Sequence, residues 1–116
     1  MKRILPALLI TLSLTACWEY VKPRVALDLT NKSHEAIKNI EVNYPGGTYG
    51  ITALDVYAVN HHTAEIDKKN CVVNVKFEDN TGHAMGGKEL NLGETCPSKI
   101  QLVVNAQMQV TTEAAP

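Results

Sequence analysis

The chain has 116 residues, 45% hydrophobic and 5% aromatic, and its 11 Lys and Arg against 12 Asp and Glu leave a formal net charge of −1. That length gives one domain. Near-balanced charge with only two arginines, Arg3 and Arg24, argues against nucleic-acid binding, which needs clustered Lys and Arg to neutralise phosphates.

The chain opens on a segment that is not expected to join the fold. Lys2 and Arg3 precede an apolar run from Ile4 to Leu14. A basic start, roughly 7–15 apolar residues and small residues at the end make a secretory signal. At about 11 residues the run is too short for a bilayer, which takes about 20. It closes in Leu14-Thr15-Ala16-Cys17. These residues resemble the lipobox of bacterial lipoproteins, in which a Leu and two small residues precede an acylated Cys. An ordinary signal would need an Ala-x-Ala-like site, and Leu12-Ser13-Leu14 offers no clean one. The resemblance implies that residues 1–16 are removed and that Cys17 becomes the lipidated first residue. Each buried methylene of such a lipid contributes about 0.8 kcal/mol, so two or more chains hold a protein stably. Loss of Lys2 and Arg3 would leave 9 basic against 12 acidic side chains, a net of −3. Residue 18 is Trp rather than Asp. By the sorting rule of Gram-negative lipoproteins, that implies the outer membrane, with the domain facing the periplasm. Trp18 would sit at the headgroup level, where its ring is favoured.

Residues 17–24 read as a tether and contain Pro23. The seven residues from Trp18 to Arg24 reach at most about 23 Å. The folded domain is expected over 25–110. Val25 to Leu29 alternates as a strand does, and so does Lys38 to Tyr44, with Ile40, Val42 and Tyr44 on one face. Pro45-Gly46-Gly47-Thr48 turns the chain, and Tyr49 to Ile51 can pair back. Residues 53–66 are hard to read; Val56–Val59 and His62–Ile66 are candidate strands. Cys71, Val73, Val75 and Phe77 share a strand face, Asp79-Asn80-Thr81-Gly82 is a hairpin turn, and Lys88 to Leu92 alternates again. Gly86-Gly87 breaks the pattern, as a bulge does. From Ile100 to Val110 the alternation runs through Leu102, Val104, Ala106 and Met108, which predicts one long last strand. Residues 111–116 read as a flexible tail. The pattern predicts an all-β fold: a small antiparallel β-sandwich of immunoglobulin-like or transthyretin-like type, with six to seven strands.

With Cys17 assigned to lipid, Cys71 and Cys96 remain. In an oxidising compartment two such cysteines read as a disulfide. They lack the close spacing of a thiolate metal site or a redox pair. The bond would tie neighbouring strand ends or bridge the two sheets.

The four histidines, His34, His61, His62 and His83, show no metal-site spacing, and adjacent His61 and His62 on a strand point to opposite faces. Asp55, Glu65, Asp67, Glu78 and Asp79 are scattered, and no Gly-x-Ser-x-Gly occurs. No cofactor and no catalytic residue is expected. The stretch best suited to contact a partner is Tyr44, Gly46, Gly47 and Tyr49: two tyrosines beside a glycine-rich tip, facing each other if the loop has four residues. The competing reading is that both tyrosines cap the core.

Together these features point to a non-enzymatic, lipid-anchored cell-envelope protein whose sandwich binds a protein or envelope component. It could serve as a subunit of an assembly, a hydrolase inhibitor or a receptor-masking factor. The alternative is a periplasmic carrier of a small ligand or metal. Small lipoproteins of type VI secretion systems are similar in having an anchor and a sandwich, but none of their partner-binding residues maps onto this chain.

Overall fold

The structure, a computed structural model, describes residues 23–67 and 69–113; Cys17 and its lipobox lie outside them, as do residues 114–116. The described residues form nine strands and no helix: β1 (Arg24–Asn31), β2 (Ile37–Tyr44), β3 (Gly47–Leu54), β4 (Val59–Glu65), β5 (Val72–Glu78), β6 (Ala84–Gly86), β7 (Leu90–Asn91), β8 (Lys99–Val104) and β9 (Val110–Glu113). One sheet has the order β4-β1-β8-β9; the other runs β3-β2-β5-β6, with β7 on the same edge of β5 as β6. The domain is therefore an all-β sandwich with one disulfide, Cys71–Cys96. The strand count exceeds the expected six to seven because β6 forms ahead of the alternating run around 88–92, which keeps only β7, and because the predicted last strand divides into β8 and β9.

Alternation places one face of each strand inside. Val25, Leu27 and Leu29 of β1, Val73, Val75 and Phe77 of β5, and Ile100, Leu102 and Val104 of β8 join one buried cluster. Each such side chain contributes about 1.5–3 kcal/mol by leaving water. In β2 the phase shifts. Ile37 is buried as well as Ile40 and Val42, although two residues separate Ile37 from Ile40. A bulge between Lys38 and Glu41 against β5 allows it, with Asn39 at φ 49°. Asn enters that left-handed region more readily than most residues, and its amide bonds to Glu78 Oε2 at 3.0 Å.

Three details are corrected. The sandwich is not wholly antiparallel, since β1 and β8 run parallel from Ala26↔Lys99 to Asn31↔Val104. And Ile100 to Val110 is not one strand. Asn105 turns the chain: its Oδ1 accepts from the amides of Gln107 and Gln109, and its carbonyl accepts from Met108 N. Beyond this turn Thr111–Glu113 belong to β9 and pair with β8, so they are not tail.

Strand directions define two poles. β1 carries the chain about 23 Å from Arg24 to Asn31, at about 3.3 Å per residue. At the Arg24 pole the chain enters the domain, where Ile66 N donates to Pro23 O. The β2–β3 hairpin tip and the start of β5 lie at the same pole. The connections β1–β2, β3–β4, β5–β6 and β8–β9 gather at the Asn31 pole.

Candidate interaction surface

The hairpin expected to have a four-residue loop has two loop residues, Pro45 and Gly46. Tyr44 pairs with Gly47 and Val42 pairs with Tyr49. Gly46 sits at φ 93°, third in a turn that starts at Tyr44, where glycine is the usual occupant. The shorter loop places Tyr44 and Tyr49 diagonally rather than opposite, yet on one face, with ring centroids 6.2 Å apart. The Tyr44 ring lies over Gly47, where an added Cβ would come within 2.6 Å of Tyr44 Oη. Both tyrosines are half-buried and pack against the core.

A third ring, which nothing in the sequence paired with them, completes this group. His62 of β4 stacks on Tyr49 at 3.8 Å with an interplanar angle of 16°. The contact joins the β4 edge of one sheet to the β3 edge of the other. As alternation required, His61 faces the other way. Its Nδ1 lies 2.7 Å from Asp28 Oδ1, and Lys99 Nζ lies 3.7 Å from Asp28 Oδ2.

The Tyr49 hydroxyl is buried without a hydrogen-bond partner. Burial, with smaller contributions from Tyr44 and Asp28, pushes its pKa up to about 12. A folded-state value above the unfolded one means that this group's contribution is intact below about pH 10 and lost as pH rises through 12. Tyr49→Phe should keep the stack and either leave stability at neutral pH unchanged or raise it by up to about 1 kcal/mol. The variant should also lose less stability than the parent in urea titrations taken upward from about pH 9. Parallel alkaline losses in the two proteins would contradict this account.

At the opposite pole, Asn31 organises the loops. It is fully buried. Its Nδ2 donates to Glu35 O at 2.9 Å and Leu54 O at 3.0 Å, and its Oδ1 accepts from Ser33 N and Ser33 Oγ. Its backbone amide donates to Ala58 O, and its carbonyl accepts from Tyr57 N at 2.6 Å. One side chain and its peptide groups thus fasten the β1–β2 loop and the β3–β4 turn to the end of β1. Asn80 N reaches Glu35 Oε1 from the next loop. In that loop the Asp79 carboxylate is held down to about 2 by the Thr81 hydroxyl, the backbone amides of His83 and Thr81, and the nearby His83 ring.

The β3–β4 turn carries the exposed apolar side chains Val56, Tyr57 and Val59, with Tyr57 72% exposed. Ala58 N donates to Asp55 O, closing a turn whose third residue is Tyr57 at φ 63°. For a residue with a Cβ that conformation costs about 1–2 kcal/mol. The composition of 53–59 hid the turn, because the position that usually signals one with glycine holds a tyrosine.

Among the described residues no three or more His, Cys, Asp or Glu side chains converge to hold a metal ion. A cleft of about 310 Å³ opens between Gly86–Lys88 and Met108–Thr111, and no acid, histidine or cysteine lines it.

The class these features define is a small disulfide-clipped β-sandwich with rigidly held loops at one pole. No protein-family description and no curated protein matches the chain. A solved structure described as the NMR structure of a protein from Eubacterium rectale is similar in fold, with a TM-score of 0.64 at 14% identity over 81% of this chain and 92% of that one. At that identity the likeness extends to the fold alone.

Proposed function

We propose that the protein is a non-enzymatic, lipid-anchored component of the cell envelope, tethered through Cys17 to the outer membrane, whose sandwich holds a binding surface toward a protein partner in the periplasm. The observation that carries this reading is the arrangement of the poles. The chain enters the domain at Pro23, six residues after Cys17 in sequence, at the end opposite the Asn31-bound loops. A lipid on Cys17 would keep the Arg24 pole near the membrane and turn the loop pole outward. The Tyr44–Tyr49 pair then lies at the membrane side and serves packing, with His62 completing it. The reading also accords with the lipobox and with a domain whose fixed side chains serve packing and loop anchoring.

Cys17→Ala in the full-length chain tests the anchor. The variant should fold and leave the membrane fraction. If it stays membrane-bound, the tether is wrong. A soluble variant with unchanged Cys71–Cys96 oxidation supports it.

A further inference from the structure

We propose that the Val56–Val59 turn is the contact surface, and that Tyr57 is its anchor for a protein partner that offers an apolar pocket rimmed by Lys or Arg. This rests on the anchored-binder reading and names the site within it. Among the described residues, four other than glycine adopt positive φ: Asn39, Tyr57, Asn70 and Met108. Two of them are Asn, whose short amide suits that region. Met108 is partly buried against the core, so packing offsets its conformation. Tyr57 has no such compensation. It is 72% exposed in a position where the Pro45-Gly46 turn of the same chain uses glycine. A side chain that strains the backbone without packing serves something outside the domain. Strain held against solvent in this way is characteristic of functional positions.

The surroundings set the chemistry of the partner. A large, rigid aromatic beside two valines suits an apolar pocket, as Tyr does at interface hot spots. Charges at the same pole are mostly negative: Glu35, Asp55, Glu78 and Asp79 stand against Lys38, while Lys32 and Glu113 pair with each other at 2.8 Å. An acidic rim favours a basic one across an interface and speeds encounter with it. Asn31 fixes the turn beforehand, so little loop ordering would be lost on binding.

The test uses the full-length anchored chain in intact cells, with benzophenone-alanine as the photoreactive probe at position 56, at position 59 or, as a control on the membrane-side hairpin, at position 48. Irradiation should give one discrete protein adduct from 56 and 59 and none from 48. Adding Tyr57→Gly to the position-56 probe should cut that adduct at least tenfold, while the melting temperature of the variant stays equal or rises because glycine relieves the strain. Tyr57→Phe should retain most of the adduct. Asp55→Lys should reduce it severalfold without loss of folding. The proposal is overturned by an adduct that survives Tyr57→Gly, by one formed equally from position 48, or by one indifferent to Asp55→Lys. It is overturned too if Tyr57→Gly unfolds the domain, since the side chain would then be structural. Fractionation of Cys17→Ala reports on the anchor separately, so failure at the turn and failure of the tether give different results.

Discussion

Asn31→Asp should lower stability by roughly 2–4 kcal/mol at neutral pH, measured by urea unfolding, because a buried carboxylate would replace a satisfied amide. The native Nδ2 donates to two carbonyl oxygens, Glu35 O and Leu54 O, while Oδ1 takes two hydrogens from Ser33. A carboxylate can still accept from Ser33. Its second oxygen would face the two carbonyls with no proton between them. Retaining a proton relieves that contact, so the folded-state pKa of the introduced carboxyl is expected above its unfolded value. The folded variant then binds the proton more tightly, and stability rises as pH falls toward the unfolded pKa near 4. The deficit against the parent should therefore shrink between pH 7 and about pH 4.5. Below that, both proteins also begin to lose the contribution of Asp79, whose depressed pKa makes it stabilising above the usual carboxylate range and ineffective once pH falls through about 2. Asn31→Leu removes the same donors without adding a charge, so its deficit should not change with pH. If the two variants show equal and pH-independent losses, the introduced carboxylate does not face the Glu35 and Leu54 carbonyls.

Much of the sandwich was legible because side-chain direction in a strand has period two. The buried faces of β1, β5 and β8 follow from their alternation alone, and so does the divergence of His61 from His62. What failed was punctuation. Asn105 turns the chain through its own side chain, without Gly or Pro, while Ala106 and Met108 carry the apolar alternation straight through the turn. Asn39 inserts one residue into β2 and brings Ile37 inside, a shift that no count of apolar positions announces.

The candidate surface was less legible than the fold, for a related reason. Tyr44 and Tyr49 stood out because they flank a glycine-rich turn, but their half-buried meeting with His62 across the two sheet edges left no trace in the sequence. Tyr57 did not stand out, because residues chosen against turn propensity leave no turn signal. Asn31 read as one polar residue among several. Its role depends on Leu54 and Ala58, which lie 23 and 27 positions further along the chain. Non-local pairing also decides that β8 lies parallel to β1, which the local pattern of neither strand contains. Local conflict between a residue and its backbone was the informative signal, and it needs the backbone to be seen.

Cys96→Ala should cost about 3 kcal/mol, the loop-closure entropy of a cross-link across a 25-residue separation. This variant is cleaner than one at Cys71, which is fully buried and can remain as a small apolar side chain once the bond is gone. For a domain of this size the loss should lower the melting temperature by about 15 °C. The bond does not bridge the two sheets. Cys71 N donates to Gly93 O at 2.8 Å and Leu92 N donates to Cys71 O at 2.7 Å, so the disulfide locks a segment already laid beside the start of β5. Besides the bond, the segment is held by these backbone hydrogen bonds, the two-residue β7 pairing and the partly buried Leu90 and Leu92, fewer anchors than the long strands have. Hydrogen exchange in Cys96→Ala should therefore rise most from Gly87 to Ser98, while the Asn31 pole stays protected until global unfolding. A uniform rise would mean that the bond acts only on the unfolded chain. A loss under about 1 kcal/mol would mean that the strand pairing around Cys71 closes this loop without it.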